Sequence, residues 1–385
     1  MKQRPFWIQK IEQAWRSRPL VWLSGVRRVG KTTLTKMFEE AIYLDCDLPS
    51  VERRLLDPES FFDDLPPNTI VVFDEVHQMQ DPSRLLKIAA DAYPHLKVLA
   101  TGSSTLAASK KFRDTLTGRK HEIYLPPVLW TECRAVFGIK DLDKRLLHGG
   151  LPESLLSKRT DATFFSEWID SFYARDIQEL FALRNRVGFL KLFHLLLRQS
   201  GSLVDYSSLA KMTGLAYPTV RAYVEAMTIA HAVFLLPPFH GGGRREIIAQ
   251  PKVYGFDTGF VAHIRGWESI REDDRGLLWE HLVLDSLRSK IYPANLYFWR
   301  DKSSREIDFV VQDGNGRVHA IECKINPDHF EPRSLSAFRE SYPNGENYVI
   351  SPLIRDSFKR RLPNLVVIFC PLDNFALQGT KEGGS

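Results

Sequence analysis

Short apolar runs separated by amphipathic stretches set the plan of the first third of the chain. The runs Leu20–Ser24, Ala41–Asp45, Thr69–Asp74, Leu96–Thr101 and His121–Leu125 have the length and the β-branched and aromatic content of strands. Between them, Thr32–Glu40 and Ser83–Ala92 carry helical spacing. Strand and helix in alternation predict a parallel sheet covered by helices on both faces, and Pro126-Pro127 closes the unit. From Thr131 to Arg184 the pattern is mostly helical, interrupted at Gly149-Gly150-Leu151-Pro152-Glu153.

Beyond it, Val187–Arg198 reads as an apolar helix. Asp205–Met212 and Pro218–Ala230 form a helical pair broken at Gly214. An extended segment, Val233–Pro237, leads into His240-Gly241-Gly242-Gly243-Arg244-Arg245. The last third mixes a helix, Gly276–Ile291, with strands Leu296–Trp299, Ile307–Val311 and Val318–Lys324. Polar, glycine-rich Gln378–Ser385 is expected to be a flexible tail. No internal repeat or low-complexity tract interrupts this order.

A chain of 385 residues has room for two or three cores, and 44% hydrophobic with 26% charged residues is ordinary for a globular protein. No run approaches the ~18 apolar residues needed to span a bilayer, so a cytoplasmic protein without a membrane partner is expected. Cys46, Cys133, Cys323 and Cys370 lack metal-ligand spacing and read as reduced thiols. Net charge is +5, which mildly favours a polyanionic partner. That charge is uneven. Between Arg186 and Gln250, Arg186, Lys191, Arg198, Lys211, Arg221, Arg244 and Arg245 face only Asp205, Glu225 and Glu246.

Gly25-Val26-Arg27-Arg28-Val29-Gly30-Lys31-Thr32 satisfies G-x-x-x-x-G-K-[ST] between a predicted strand and a predicted helix. Glycines let backbone N–H groups aim at phosphate oxygens, and the helix N-terminus, running on into Thr33, adds its dipole. Lys31 is then expected on the β- and γ-phosphates of ATP, with the Thr32 hydroxyl on Mg²⁺. Ile70-Val71-Val72-Phe73-Asp74-Glu75 describes a buried strand whose acids emerge at its C-terminal edge. Asp74 is the candidate Mg²⁺ acid. Glu75 is either the base that orients the attacking water or a solvated strand end. Ser103 and Ser104 either sense the γ-phosphate or cap a helix. Arg119, in Thr117-Gly118-Arg119, reaches a neighbouring subunit's γ-phosphate or stays within its own chain.

Residues 201–238 resemble a winged helix-turn-helix, with a basic glycine-rich wing. Val220, Val224 and Met227 form the apolar stripe of its second helix, leaving Tyr217, Thr219, Arg221 and Tyr223 to varying exposure. Lys211, Tyr217, Thr219, Arg221, Arg244 and Arg245 are the candidate nucleic-acid contacts. A winged helix used for protein contacts is the alternative.

Asp313-Gly314-Asn315-Gly316 is a hairpin turn signal that sets Asp308 and Glu322 within about one register step of each other. Alternation puts Glu322 and Lys324 on one face and Cys323 on the other. Glu280 shares a helical stripe with Leu284, Leu287 and Ile291, so its carboxylate faces the sheet and needs a partner. Glu280, Asp308, Glu322 and Lys324 suit a divalent ion held by Asp308 and Glu322 with an activated water, or they pair among themselves.

That quartet resembles the PD-(D/E)xK nuclease superfamily. The whole chain resembles a large group of bacterial and archaeal AAA-like ATPases. The likeness rests on Gly25–Thr32, Phe73-Asp74-Glu75, Thr101-Gly102-Ser103, Thr117-Gly118-Arg119, Gly149–Glu153, Tyr173-Ala174-Arg175-Asp176, Phe256-Asp257-Thr258-Gly259 and the quartet. It implies an α/β chain. Residues 1–130 would be a P-loop NTPase parallel sheet, 131–186 a helical lid, 187–250 a winged helix and 251–377 a restriction-endonuclease-like α/β domain, with 378–385 the tail. It further implies a homo-oligomer, a hexamer being one expected form, and leaves open whether Arg119 or Arg175 acts across a subunit boundary. Two functions follow: an ATP-driven machine on duplex or branched DNA, with or without metal-dependent cleavage, or an ATP-dependent switch acting on a protein partner.

Overall fold

The computed structural model describes residues 2–102, 110–178, 181, 185–241, 250–291 and 295–377. Ser103, Ser104, Arg244, Arg245 and the tail Gln378–Ser385 lie outside these residues.

Strands β1 (Leu20–Ser24), β2 (Ile42–Asp45), β3 (Ile70–Asp74), β4 (Lys97–Thr101) and β5 (Lys120–Tyr124) form a parallel sheet in the order β2-β3-β4-β1-β5. Helices α1 (Pro5–Trp15) and α2 (Lys31–Thr35) flank β1. Helices α3 (Pro49–Arg54) and α4 (Pro58–Asp63) follow β2, α5 (Pro82–Ala92) follows β3, and α6 (Lys110–Leu116) precedes β5. The pleat sends Val21, Leu23, Val72, Leu99 and Ile123 to the face covered by Trp7, Ile11 and Ala14 of α1. Trp22, Val71, Phe73, Val98 and Ala100 point the other way, against α5 and α6. Helix α2 stops at Thr35, short of the expected Glu40. Its threonines explain the stop: Thr35 Oγ1 turns back to Thr32 O at 3.0 Å, and the chain tightens into i→i+3 bonds at Met37 and Phe38.

A helical layer follows, made of α7 (Trp130–Ala135), α8 (Leu142–His148), α9 (Pro152–Leu156) and α10 (Ala162–Phe172), the last running into a π-helical turn, Tyr173–Gln178. Asp141 and Asp161 accept bonds from first-turn N–H groups of α8 and α10. Next, α11 (Arg186–Arg198), α12 (Tyr206–Thr213) and α13 (Tyr217–Ile229) pack with a three-stranded antiparallel sheet. That sheet joins β6 (Ser202–Leu203), β7 (Val233–Leu236) and β8 (Lys252–Gly255) in the order β6-β8-β7. Gly214 ends α12 at φ 73, where a side chain would be strained. Tyr223 differs from the expectation of partial exposure: it is buried, its ring 5.6 Å from that of Phe189.

Helices α14 (Thr258–Arg265) and α15 (Glu272–Lys290) lead to a six-stranded mixed sheet. Its strands are β9 (Leu296–Arg300), β10 (Glu306–Gln312), β11 (Val318–Cys323), β12 (Asn347–Ile350), β13 (Phe358–Leu362) and β14 (Leu365–Cys370), in the order β13-β14-β12-β11-β10-β9. β11–β12 and β12–β14 pair in parallel, the rest antiparallel. Helix α15 covers one face and α16 (Arg333–Ser341) the other. One core runs from α1 and the first sheet through α10–α13 to α15. Arg288 of α15 lies 4.4 Å from the ring of Tyr124 at the end of β5, so the first and last portions touch directly. Among the described residues no helix is long and apolar enough to cross a membrane.

Candidate nucleotide site and acid cluster

The loop between β1 and α2 is built where only its glycines fit. Gly25 sits at φ 144, and a Cβ there would lie 2.5 Å from the Leu125 carbonyl oxygen. Gly30, at φ 99, starts α2. Leu34 N→Gly30 O, at 2.9 Å, opens the helical ladder, so the N–H groups of Lys31, Thr32 and Thr33 precede it as the donors a helix start offers to an anion. Val26 and Val29 are buried and fix the loop to the core. Lys31 Nζ donates to Gly25 O at 2.8 Å and Val26 O at 3.2 Å. Burial lowers its pKa, while Glu75, Asp176 and Asp74 pull it back up.

Across the same strand edge, both oxygens of buried Asp74 take hydroxyl donors at 2.5 Å: Tyr43 from β2 and Thr101 from β4. Thr101 Oγ1 also accepts the Glu75 N–H at 2.9 Å. Glu75 is in the left-handed region at φ 54, with Oε2 3.2 Å from His77 Nδ1. Burial lowers the His77 pKa, which favours the neutral ring. A carboxylate locked by two neighbouring strands and an ammonium that donates to two backbone carbonyls form a donor set that fits Mg²⁺ and a polyphosphate. Arg119 lies elsewhere. It precedes β5, at the opposite edge of the parallel sheet, and its Nε donates to Asp91 Oδ1 at 2.6 Å.

The loop also meets the helical layer. Trp168 Nε1 donates to Arg27 O at 3.2 Å, and Arg27 Nη1 lies 3.4 Å from Asp176 Oδ2 on the π-helical turn. Arg28 reaches Glu153 at 3.7 Å, and a Cβ on Gly30 would touch Pro152 Cγ at 3.8 Å. Nothing local in the sequence links Asp176 to the loop; they are 149 positions apart.

In the last sheet the register pairs Phe309 with Ile321, which sets Asp308 opposite Glu322. Asp308 Oδ2 accepts the Cys323 N–H at 2.7 Å, and Lys324 Nζ lies 3.0 Å from Glu322 Oε2. Glu322 Oε1 is buried without a hydrogen-bond partner. Burial, and then Asp308, push the Glu322 carboxyl up to about 8. Glu280, the third acid of the expected quartet, meets a lysine and a tyrosine. It accepts from Lys252 at 3.2 Å and from the Tyr254 hydroxyl, both on β8, and Lys252 also binds Glu306 at 2.6 Å. Burial works against the Lys252 ammonium, but Glu280, Glu306 and Asp308 outweigh it and raise its pKa. Among the described residues no three His, Cys, Asp or Glu side chains are arranged to hold a metal ion. Asp308 and Glu322 face each other across the hairpin, and Glu280, held by an internal lysine, stays within electrostatic reach of both. A lysine in the otherwise apolar run of β8 was the available signal.

On α13, Tyr217 and Arg221 are exposed and Thr219 is half-buried; Lys211 on α12 is exposed. The Arg221 guanidinium lies 5.9 Å from the ring of Tyr206.

Residues 17–134 match a family described as an AAA domain. Residues 139–271 and 275–371 match two families, each described as a domain of unknown function (DUF8612 and DUF4143). Uncharacterized proteins of Mycobacterium bovis and Mycobacterium tuberculosis are each 26% identical over 325 residues, covering 82% of this chain and 72% of the relative. The Bacillus subtilis DNA clamp loader delta protein is 10% identical over 58% of this chain and 88% of its own, with a TM-score of 0.26. The Thermococcus gammatolerans McrB AAA+ hexamer with bound McrC is 12% identical over 61% and 49%, with a TM-score of 0.22. Such low scores carry no argument about this chain. The family match and the loop between β1 and α2 together identify residues 17–134 as an AAA-like P-loop ATPase domain.

Proposed function

We propose that the chain is an ATP-dependent DNA-binding machine, an oligomeric ATPase that couples hydrolysis to binding, remodelling or translocation on duplex or branched DNA. In this reading the N–H groups of Gly25–Thr33 and the Lys31 ammonium hold the phosphates. Thr32 and Asp74 hold Mg²⁺, which when bound neutralises charge on the phosphate oxygens. Tyr43 and Thr101 fix Asp74, and Glu75 orients the attacking water. Arg175, exposed on the π-helical turn, is the better placed of the two arginines to reach a neighbouring copy, since Arg119 is bound to Asp91.

The observation that carries the DNA part is the surface of α13. Tyr217 and Arg221 are exposed while Val220, Val224 and Met227 are buried, so the helix presents an aromatic and a cation together. The order α11-β6-α12-α13-β7-β8 supports reading this portion as a winged helix. Affinity for a labelled duplex and a branched junction, titrated against salt, tests the proposal. Affinity that falls steeply with salt, and falls further in Arg221→Ala, is expected. No binding at low salt removes it.

A second reading has its own support: Lys252 and Tyr254 occupy Glu280, as they would in a scaffold that no longer cuts. The chain would then be an ATP-dependent switch on a protein partner. The salt titration above separates the two, and plasmid cleavage with Mg²⁺ or Mn²⁺ separates a cutting from a non-cutting acid cluster. Cleavage that disappears in Asp308→Ala assigns the pair Asp308 and Glu322 to metal; no cleavage in the wild type favours the scaffold.

A further inference from the structure

Asp176 lies in the nucleotide site without a role in the reading above. It is carried on a π-helical turn, an irregularity that recurs at functional sites, and the turn is anchored by buried Tyr173 and Ile177. Its carboxylate is 15% exposed and, among the described residues, contacts Arg27 at 3.4 Å. Arg27 is the third residue of the phosphate loop and is held a second time by the indole of Trp168. Asp176 is also within electrostatic reach of Lys31 and of Glu75. One cation of the loop, Arg27, therefore contacts a carboxylate supplied by the helical layer, with Lys31 within its electrostatic reach, where the reading above puts the phosphates.

We infer that Asp176 is a phosphate-mimicking latch. Its carboxylate takes the anion position beside Arg27 that the terminal phosphate of ATP claims, so bound ATP expels it and frees the turn that carries it. The inference rests on the ATP-site reading. A contact at 3.4 Å is weak enough to be broken, and a phosphate beside Lys31 would place like charges together until Asp176 moved. ADP, lacking the terminal phosphate, leaves the contact with Arg27 in place. The latch thus lowers affinity for ATP and spares ADP, and the helical layer reports which nucleotide is bound.

The test uses the full chain with Mg²⁺ and fluorescent forms of ADP and of a slowly hydrolysed ATP analogue. Asp176→Asn is expected to bind the ATP analogue about tenfold more tightly, a typical size for coupling of this kind, and ADP within about twofold of wild type. Asp176→Glu, which keeps the charge, is expected to restore the wild-type ratio. Asp176→Ser serves as the second variant if the asparagine protein does not fold. Unchanged ATP affinity in Asp176→Asn, with Lys31→Ala still abolishing binding, overturns the latch and leaves the site standing. Weaker ATP binding in Asp176→Asn also overturns it, by making Asp176 a direct ligand. A wild-type chain that binds neither nucleotide overturns both readings.

Discussion

Removing the Asp257 carboxylate should destabilise the fold by about 3–5 kcal/mol. Asp257 is buried at the start of α14, where Oδ2 accepts the Gly150 N–H at 2.6 Å and Oδ1 the Gly259 N–H at 2.8 Å. Beside it lies fully buried Arg145, whose Nε donates to Val128 O and Nη1 to Thr258 Oγ1, both at 3.0 Å. Asp257→Ala strands the N–H groups of Gly150 and Gly259, at about 1–3 kcal/mol each, weakens the tie to Phe260 N–H, and leaves a buried guanidinium short of its counter-charge. These costs overlap, so they do not sum. Urea unfolding followed by tryptophan fluorescence measures the loss as a lower midpoint at constant slope. A second change tests the geometry. Gly149 has φ 76, and a Cβ there would lie 1.9 Å from Asp257 Oδ1, so Gly149→Ala carries both a backbone strain and a clash. In the Asp257→Ala background the clash disappears, and the alanine should cost less than in the wild type by about 1 kcal/mol or more. A loss below about 0.5 kcal/mol for Asp257→Ala, or strict additivity of the pair, refutes the reasoning.

Gly25→Ala should weaken nucleotide binding at least about tenfold, because φ 144 and the Leu125 carbonyl both exclude a side chain; unchanged affinity by titration contradicts it. Glu280 and Glu322 have pKa values raised from 4.5 to about 7 and about 8. Their contribution to stability is therefore whole below pH 4.5 and is lost as pH rises through 7–8. Melting temperature between pH 5 and 9 should fall on that side, and the fall should shrink in Glu322→Gln. Lys252→Met should cost about 3–5 kcal/mol by leaving Glu280 with the Tyr254 hydroxyl but no cation and Glu306 with Arg300 alone, with less loss at pH 5 than at pH 8, as midpoints in urea would show.

What the sequence made legible was local. Gly25–Thr32 and Asp74–Glu75 announce themselves because phosphate chemistry needs those residue types at fixed spacing beside a strand, and each strand of the first sheet lies within a residue of its expected bounds. Asp308 and Glu322 meet as the turn at Asn315 requires, since a hairpin register is set by its own turn. Contacts between distant segments left no such trace. Asp257 reaches Gly150 across 107 positions, so Asp257-Thr258-Gly259 and Gly149–Glu153 read as separate turns until the fold joins them. Glu280 needed a partner, as its apolar stripe implied, but the identity of that partner, Lys252, depends on how β8 packs on α15. Strand β13 was hidden for another reason: Lys359, Arg360 and Arg361 give an edge strand little apolar alternation.

The central claim, that Gly25–Thr32 and Asp74–Glu75 bind and hydrolyse ATP, is tested most directly by nucleotide binding and steady-state phosphate release from the full chain with Mg²⁺. Wild type should bind and turn over ATP. Lys31→Ala should do neither, and Glu75→Gln should keep binding but lose about 10²–10⁴ in turnover. Turnover in Lys31→Ala equal to wild type would contradict the account.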